Sequence, residues 1–211
     1  MSEHDFCQIE RLAIPGTGSC GGMYTANTMS SSFEALGLSL PFSSTMANVE
    51  DEVVQSVKRA AAILVDAVKA DRKPRDIVTK KSIENAVAVI MATGGSTNHA
   101  IHLVAIARAA GLLIDWNDLD ELSRATPLLA RVYPNGSADV NRFHAAGGLG
   151  AVIRELLGAG LLHADIRCVH GGDLYAQARE PWLDDLTLRW RDPPIASADT
   201  TVLRGVAEPF D

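Results

Sequence analysis

Pro15-Gly-Thr-Gly-Ser-Cys20-Gly-Gly-Met-Tyr-Thr-Ala-Asn-Thr-Met29 sets one cysteine in a glycine-rich turn that runs straight into a helical pattern. Glycines at 16, 18, 21 and 22 permit positive φ angles and close backbone approach, so several N–H groups can converge beside a single sulfur. A thiolate at a helix N-terminus is favoured by the orphan amides and the positive end of the helix dipole, which makes Cys20 the first candidate for chemistry. The run from Ala26 to Leu36 then places Met29, Phe33 and Leu36 on one face, with Gly37 as a natural stop.

Further helices follow by the same periodicity. Val53, Val54, Val57, Ala61, Leu64, Val65 and Val68 recur at helical spacing over roughly residues 49 to 70, with Glu50, Asp51 and Glu52 in the first turn. A second pattern runs from about Lys80 to Met91. Thr93-Gly-Gly-Ser-Thr-Asn98 interrupts it, and Ile101, Val104, Ala105 and Ala109 restore it up to Gly111. Residues 116–124 read as a short capped helix and about 146–158 as a strong one. Leu128-Leu-Ala-Arg-Val-Tyr133 is the best strand candidate, ahead of a Pro134-Asn-Gly136 turn. Trp182 to Asp211 carries Pro193-Pro194 and little periodicity, which suits an extended linker.

Composition narrows the class. The 211 residues, 47% hydrophobic and 21% charged, are enough for a real core. Nineteen basic against 26 acidic residues leave a net charge of −7, which argues against nucleic acid as a partner. No apolar run approaches the roughly 20 residues of a membrane span, and the first residues lack signal-peptide character, so a cytoplasmic setting is expected. Three cysteines, at 7, 20 and 168, form neither a Cys-x-x-Cys pair nor an obvious disulfide framework.

On residue type alone, Cys20 is a buried structural cysteine, a nucleophile or an iron–sulfur ligand. Thr93 to Asn98 offers amides and three hydroxyls at a helix start, suited to a carboxylate or phosphate, or else simply caps the helix. His99 and His102 stand at a spacing that can share a metal, though packing histidines are commoner. Gly147-Gly148 is another possible anion-facing turn. Arg131 and Arg142 flank these loops and are candidates to meet an acidic substrate.

Longer strings carry a resemblance. Glu10-Arg-Leu-Ala, Gly18 to Met29, Glu34-Ala-Leu-Gly-Leu-Ser-Leu-Pro41 and Lys73-Pro-Arg-Asp-Ile77 resemble dihydroxy-acid dehydratase. Ala92 to Asn98 is similar to a string shared by that enzyme and phosphogluconate dehydratase. Asn98-His-Ala-Ile-His-Leu-Val, Ala130 to Asn141, Ala145-Ala-Gly-Gly148, Arg154-Glu-Leu-Leu and Glu180-Pro-Trp-Leu183 resemble the phosphogluconate type more closely.

The resemblance implies an α/β fold, a fragment of the dehydratase N-terminal domain that is predominantly helical in this segment. It implies a partial N-terminal domain over 1–181 and a linker over 182–211 leading toward a C-terminal β-barrel. The implied reaction removes water from a sugar acid or 2,3-dihydroxy acid to give a 2-oxo acid, with the phosphogluconate type favoured. The implied cofactors are an iron–sulfur cluster and a divalent metal such as Mg, and full-length relatives are expected to be homo-oligomers without membrane or nucleic-acid partners. On this mapping Cys20 is a cluster thiolate and Ile14 stands where many relatives place another cysteine. Thr93, Gly94, Gly95, Ser96, Thr97 and Asn98 line the substrate pocket, with Arg131 and Asn135 as neighbours. Other ligands and the base of relatives fall outside the matched segment, so the isolated chain is expected to be inactive; the alternative is a non-catalytic remnant or docking partner of a full-length dehydratase.

Overall fold

The computed structural model describes residues 1–13, 20–48, 50–192, 194 and 196–211. Ten helices and two strands follow one another among them: α1 (Glu3–Ala13), α2 (Thr25–Leu36), α3 (Asp51–Lys69), α4 (Pro74–Ile77), α5 (Lys80–Thr93), α6 (Asn98–Ala109), α7 (Trp116–Ala125), α8 (Val140–Ala145), α9 (Gly148–Gly158), α10 (Leu174–Gln177), β1 (Glu180–Asp184) and β2 (Thr187–Arg191). The helical expectation for this segment is met, and a two-stranded sheet completes the α/β character.

α5 is the centre of the molecule. Its Val, Ile and Ala side chains are apolar nearly all round, as a helix packed on several sides requires, and ten of its residues are buried. Thr79 opens it: Ser82 N donates to Thr79 Oγ1 at 3.3 Å and Thr79 N to Ser82 Oγ at 2.8 Å, which satisfies two otherwise orphaned amides. α2, α7 and α9 pack around it. Asn85 is tolerated in this core because both ends of its amide are used, Nδ2 donating to His163 O and Oδ1 accepting from His163 N.

α2 ends where Gly37 takes φ +82°, a conformation that favours glycine. A Cβ there would lie 2.7 Å from Arg167 O and 3.0 Å from Cys168 Sγ, so the close approach also demands glycine. Within α2, Glu34 is fully buried and accepts N–H bonds from Phe42 at 2.8 Å and Ser44 at 2.5 Å, pinning the turn after the helix. Burial outweighs those donors and pushes its carboxyl up to about 7.

Three expectations change. The Leu128–Tyr133 segment is extended but forms only isolated bridges, Ala130 with Leu203 and Val132 with Ala138, because its neighbours pair with it one residue at a time. The segment 182–211, read as a linker, folds back onto the body. β1 and β2 form an antiparallel hairpin with Trp182 opposite Arg189, Val202 and Leu203 are buried, and Arg131 N, Arg204 N and Phe210 N donate to Val202 O, Leu129 O and Leu128 O. Weak periodicity concealed this because the segment is anchored by backbone pairing and a few apolar side chains. α3 has the predicted helix, yet among its residues only Ser56, Ile63 and Ala67 are buried, and Val54, Val57, Leu64, Val65 and Val68 remain exposed. Its apolar arc is wider than the surface that covers it. The sequence also gave no sign of α1, α4, α8 or α10.

Candidate functional site

Three loops meet at the N-terminal end of α2. Residues 20–24 are held on one side by Met23 N donating to Tyr133 O at 2.7 Å and by Val140 N donating to Gly21 O at 2.8 Å. A Cβ on Gly22 would come within 3.0 Å of Tyr133 O, so the loops approach too closely for any side chain there. On the other side Thr28 links the cysteine loop to the 93–98 turn: its hydroxyl donates to Met23 O at 3.1 Å and accepts from Ser96 N at 3.0 Å. Asn98 Nδ2 donates to Thr25 Oγ1 at 2.7 Å, and Asn135 Nδ2 donates to Gly94 O. Cys20, Ser96, Thr97 and Asn135, distant in sequence, therefore belong to one assembly of loops.

Cys20 is half-buried, with Sγ donating to Gly22 O at 3.4 Å. Asn27 Nδ2 donates to Gly22 O at 2.8 Å and to Cys20 O at 3.1 Å, fixing the turn that carries the thiol. Gly16 and Gly18, expected to contribute amides here, and Ile14 lie outside the described residues.

The 93–98 turn differs from the open cradle that its glycines suggest. Gly94 N and Gly95 N donate to Met91 O and Ile90 O as α5 closes, with Gly94 at φ +65°. Ser96 N goes to Thr28, Asn98 N to Ser96 Oγ at 3.2 Å and His99 N to Ser96 O at 3.0 Å. These five amides are occupied and are not free to receive an incoming anion. A cavity of about 350 Å³ opens beside the turn, bordered by Gly94, Gly95, Ser96, Thr97, Asn135 and Trp116 among others. Thr93 does not face it: the side chain is buried and its hydroxyl donates back to Val89 O and Ile90 O. Asn98 spends its amide on Thr25. Arg131 is turned to the C-terminal segment, its guanidinium 4.8 Å from the centre of the Phe210 ring.

The remaining candidates serve packing. His99 is buried, with Nε2 2.9 Å from Ser32 Oγ, and burial followed by the charge of His102 pushes its pKa down to about 4. His102 is exposed whereas His99 is buried with its Nε2 against Ser32, so the two rings are not presented together to a metal. Gly147 and Gly148 abut Ala151, Leu203, Thr45 and Phe42 rather than the cysteine loop.

Cys7 is exposed on α1. Cys168 is buried beside Gly37, and burial first, then Asp173, pushes its thiol up to about 12. It packs at the opposite end of α2 from Cys20, and that helix of 12 residues is about 18 Å long, so the two thiols do not share a ligand group. No group of three or more His, Cys, Asp or Glu suited to a metal occurs among the described residues. The donor set thus fits one ligand position and not a complete cluster. Sequence reasoning missed Asn27 and Thr28, whose only signal was small polar residues in the first turn of a helix.

The model of the dihydroxy-acid/6-phosphogluconate dehydratase N-terminal family matches residues 1–177. The chain belongs to this family. A dihydroxy-acid dehydratase of Leptothrix cholodnii is 57% identical over 210 residues, covering all of this chain and 35% of that protein. One of Methylibium petroleiphilum is 55% identical over 210 residues, covering 36% of its own length. A third, of Polaromonas naphthalenivorans, is 60% identical over 171 residues, 81% of this chain and 30% of the relative. The chain spans about a third of these relatives. Their names do not support the lean toward the phosphogluconate type, which rested on the wording of residues 98–183. No described helix is long and apolar enough to cross a membrane.

Proposed function

We propose that this dehydratase-family chain forms one wall of a site that removes water from a small 2,3-dihydroxy acid, with Cys20 supplying one thiolate to an iron–sulfur cluster. The reading is carried by the junction of three loops at the head of α2, which ties the Cys20 turn to Ser96, Thr97 and Asn135 through Thr28 and Tyr133. When bound, such a cluster supplies an electrophilic iron for the departing hydroxyl, which is otherwise a poor leaving group. The chain's own contribution is positional. Asn27 and the Gly21 and Met23 backbone bonds hold the thiol in place, while the Ser96, Thr97 and Asn135 side chains offer neutral donors to a carboxylate or hydroxyl. The other cluster ligands and any divalent metal such as Mg are assigned to residues other than these; on this reading the isolated chain is inactive and the whole enzyme works in the cytoplasm.

A chimera in which residues 1–211 replace the matching third of the Leptothrix cholodnii relative tests this. Cys20→Ser is expected to abolish both visible cluster absorbance and dehydration, and retention of either overturns the ligand assignment. Ser96→Ala is expected to raise KM more than it lowers stability; loss of stability at unchanged KM leaves Ser96 a capping residue only. Faster turnover of 6-phosphogluconate than of a branched dihydroxy acid overturns the choice of substrate.

A second reading, docking onto a further copy or a full-length relative, is favoured by the exposed apolar residues Phe6, Ile9 and Leu12 of α1 and the exposed stripe of α3. Size-exclusion chromatography of the isolated chain distinguishes it, since a stable monomer overturns self-docking.

A further inference from the structure

Away from the cysteine loop, a cavity of about 150 Å³ lies where α3 meets the hairpin, bordered by Leu40, Pro41, Ile63 and Trp190 and by Arg59, Arg179 and His170. Its polar groups are unevenly committed. His170 has both ring nitrogens engaged: Gly172 N donates to Nδ1 at 3.2 Å, which leaves Nε2 to donate to Gln177 Oε1 at 2.9 Å, and Gln177 Nε2 passes the chain on to Ser39 O. The ring is thereby held neutral and presents no free donor. Arg179 gives Nη2 to Trp190 O at 2.9 Å and faces Asp192 through Nε at 3.3 Å, but that carboxylate is 92% exposed and screened by water. Arg59 has no ion-pair or hydrogen-bond partner among the described residues. Burial holds the pKa of His170 down against its hydrogen bond to Gln177, and the nearby charges are mixed, Arg59 and Arg72 lowering it and Asp173 raising it.

Two arginines and several apolar side chains around one cavity favour a particular chemistry. Two guanidinium groups meet a carboxylate with charge-assisted hydrogen bonds, whereas Leu40, Pro41, Ile63 and the Trp190 indole gain only from apolar groups. At about 150 Å³ the cavity is small, on the scale of a short aliphatic acid and not of a larger ligand. We propose that the Arg59–Arg179–Trp190 cavity is a second binding site, for a small aliphatic monocarboxylate whose carboxylate sits between the two arginines and whose tail lies on Trp190. The site is independent of the cysteine loop and of the reaction assigned to it.

Trp190 provides the readout. Titrating the 211-residue chain with butanoate is expected to give a saturable change in tryptophan fluorescence that is lost in Trp190→Phe, while Trp116 and Trp182 remain. Arg59→Gln, an exposed change on α3 that leaves the fold intact, is expected to weaken butanoate about tenfold or more through loss of one charge-assisted pair. Butylamine, with the same tail and opposite charge, is expected not to bind. Inorganic phosphate binding as tightly as butanoate, an Arg59→Gln affinity equal to that of the parent, or a fluorescence change that never saturates would each overturn the proposal. Isothermal titration of Trp190→Phe keeps the test sound, since butanoate binding there at undiminished affinity removes the indole from the site.

Discussion

The side-chain amide of Asn27 reaches back over seven residues to the carbonyl of Cys20, 3.1 Å away, and shares the same nitrogen with Gly22 O at 2.8 Å. A residue in the first turn of α2 thus shapes the loop that precedes the helix. The cysteine turn is held by a side chain that its helix already orients, which confines the thiol without a bond to the sulfur itself.

Asn27→Ala removes both bonds, leaving Cys20 O without its side-chain donor and Gly22 O with only the weak Cys20 thiol in a part-buried turn. The expected cost is about 1–3 kcal/mol, read by urea unfolding. Alkylation of Cys20 should quicken at the same time, because the turn then opens more often. Unchanged alkylation with lowered stability would confine Asn27 to holding α2.

Two buried groups give opposed pH dependences. Glu34 has its pKa raised by burial to about 7 from an ordinary 4.5, so the folded chain keeps a proton that the unfolded chain releases. Its contribution is complete below 4.5 and is lost as pH rises through about 7. His99 is lowered by burial to about 4 from 6.5, so its contribution is present above 6.5 and lost as pH falls toward 4. Urea unfolding between about pH 5 and 7 should show a steeper rise of stability with pH in Glu34→Gln than in the parent, since the opposing carboxyl is gone. Equal slopes would mean that Glu34 ionises normally. Proton NMR of the His99 ring should show it neutral throughout that window.

Leu203 is 2% exposed and its segment pairs with Ala130. Leu203→Ala is expected to cost about 2–5 kcal/mol, the range for emptying a packed leucine site, measured as a shift in urea midpoint. A mere tether would lose almost nothing.

Much of this was legible in the sequence. The spacing of Ile83, Ala86, Val87 and Ile90 specified a helix from about Lys80 to Met91, while its burial on nearly every side, and so its central place, emerged only in the fold. Gly37 marked the end of α2 for a local reason, the left-handed turn. The site was legible in outline only. Cys20, Ser96 and Asn135 stood out by type, but Thr93 and Arg131 did so equally, and which of them faces the cavity depends on partners far along the chain: the carbonyls of Val89 and Ile90 for Thr93, the Phe210 ring for Arg131.

Local periodicity and turn chemistry act within a few residues, so the sequence by itself determined the longer helices, their stops and the set of reactive side chains. The joining of residues 20–24 to 93–98 and 133–140, the capture of Ser96 N by Thr28 and the return of 198–211 onto the core were decided only by tertiary structure. Each of these depends on a backbone group finding a partner dozens of residues away, and every backbone amide carries the same donor whatever its side chain, so composition and spacing do not encode the choice.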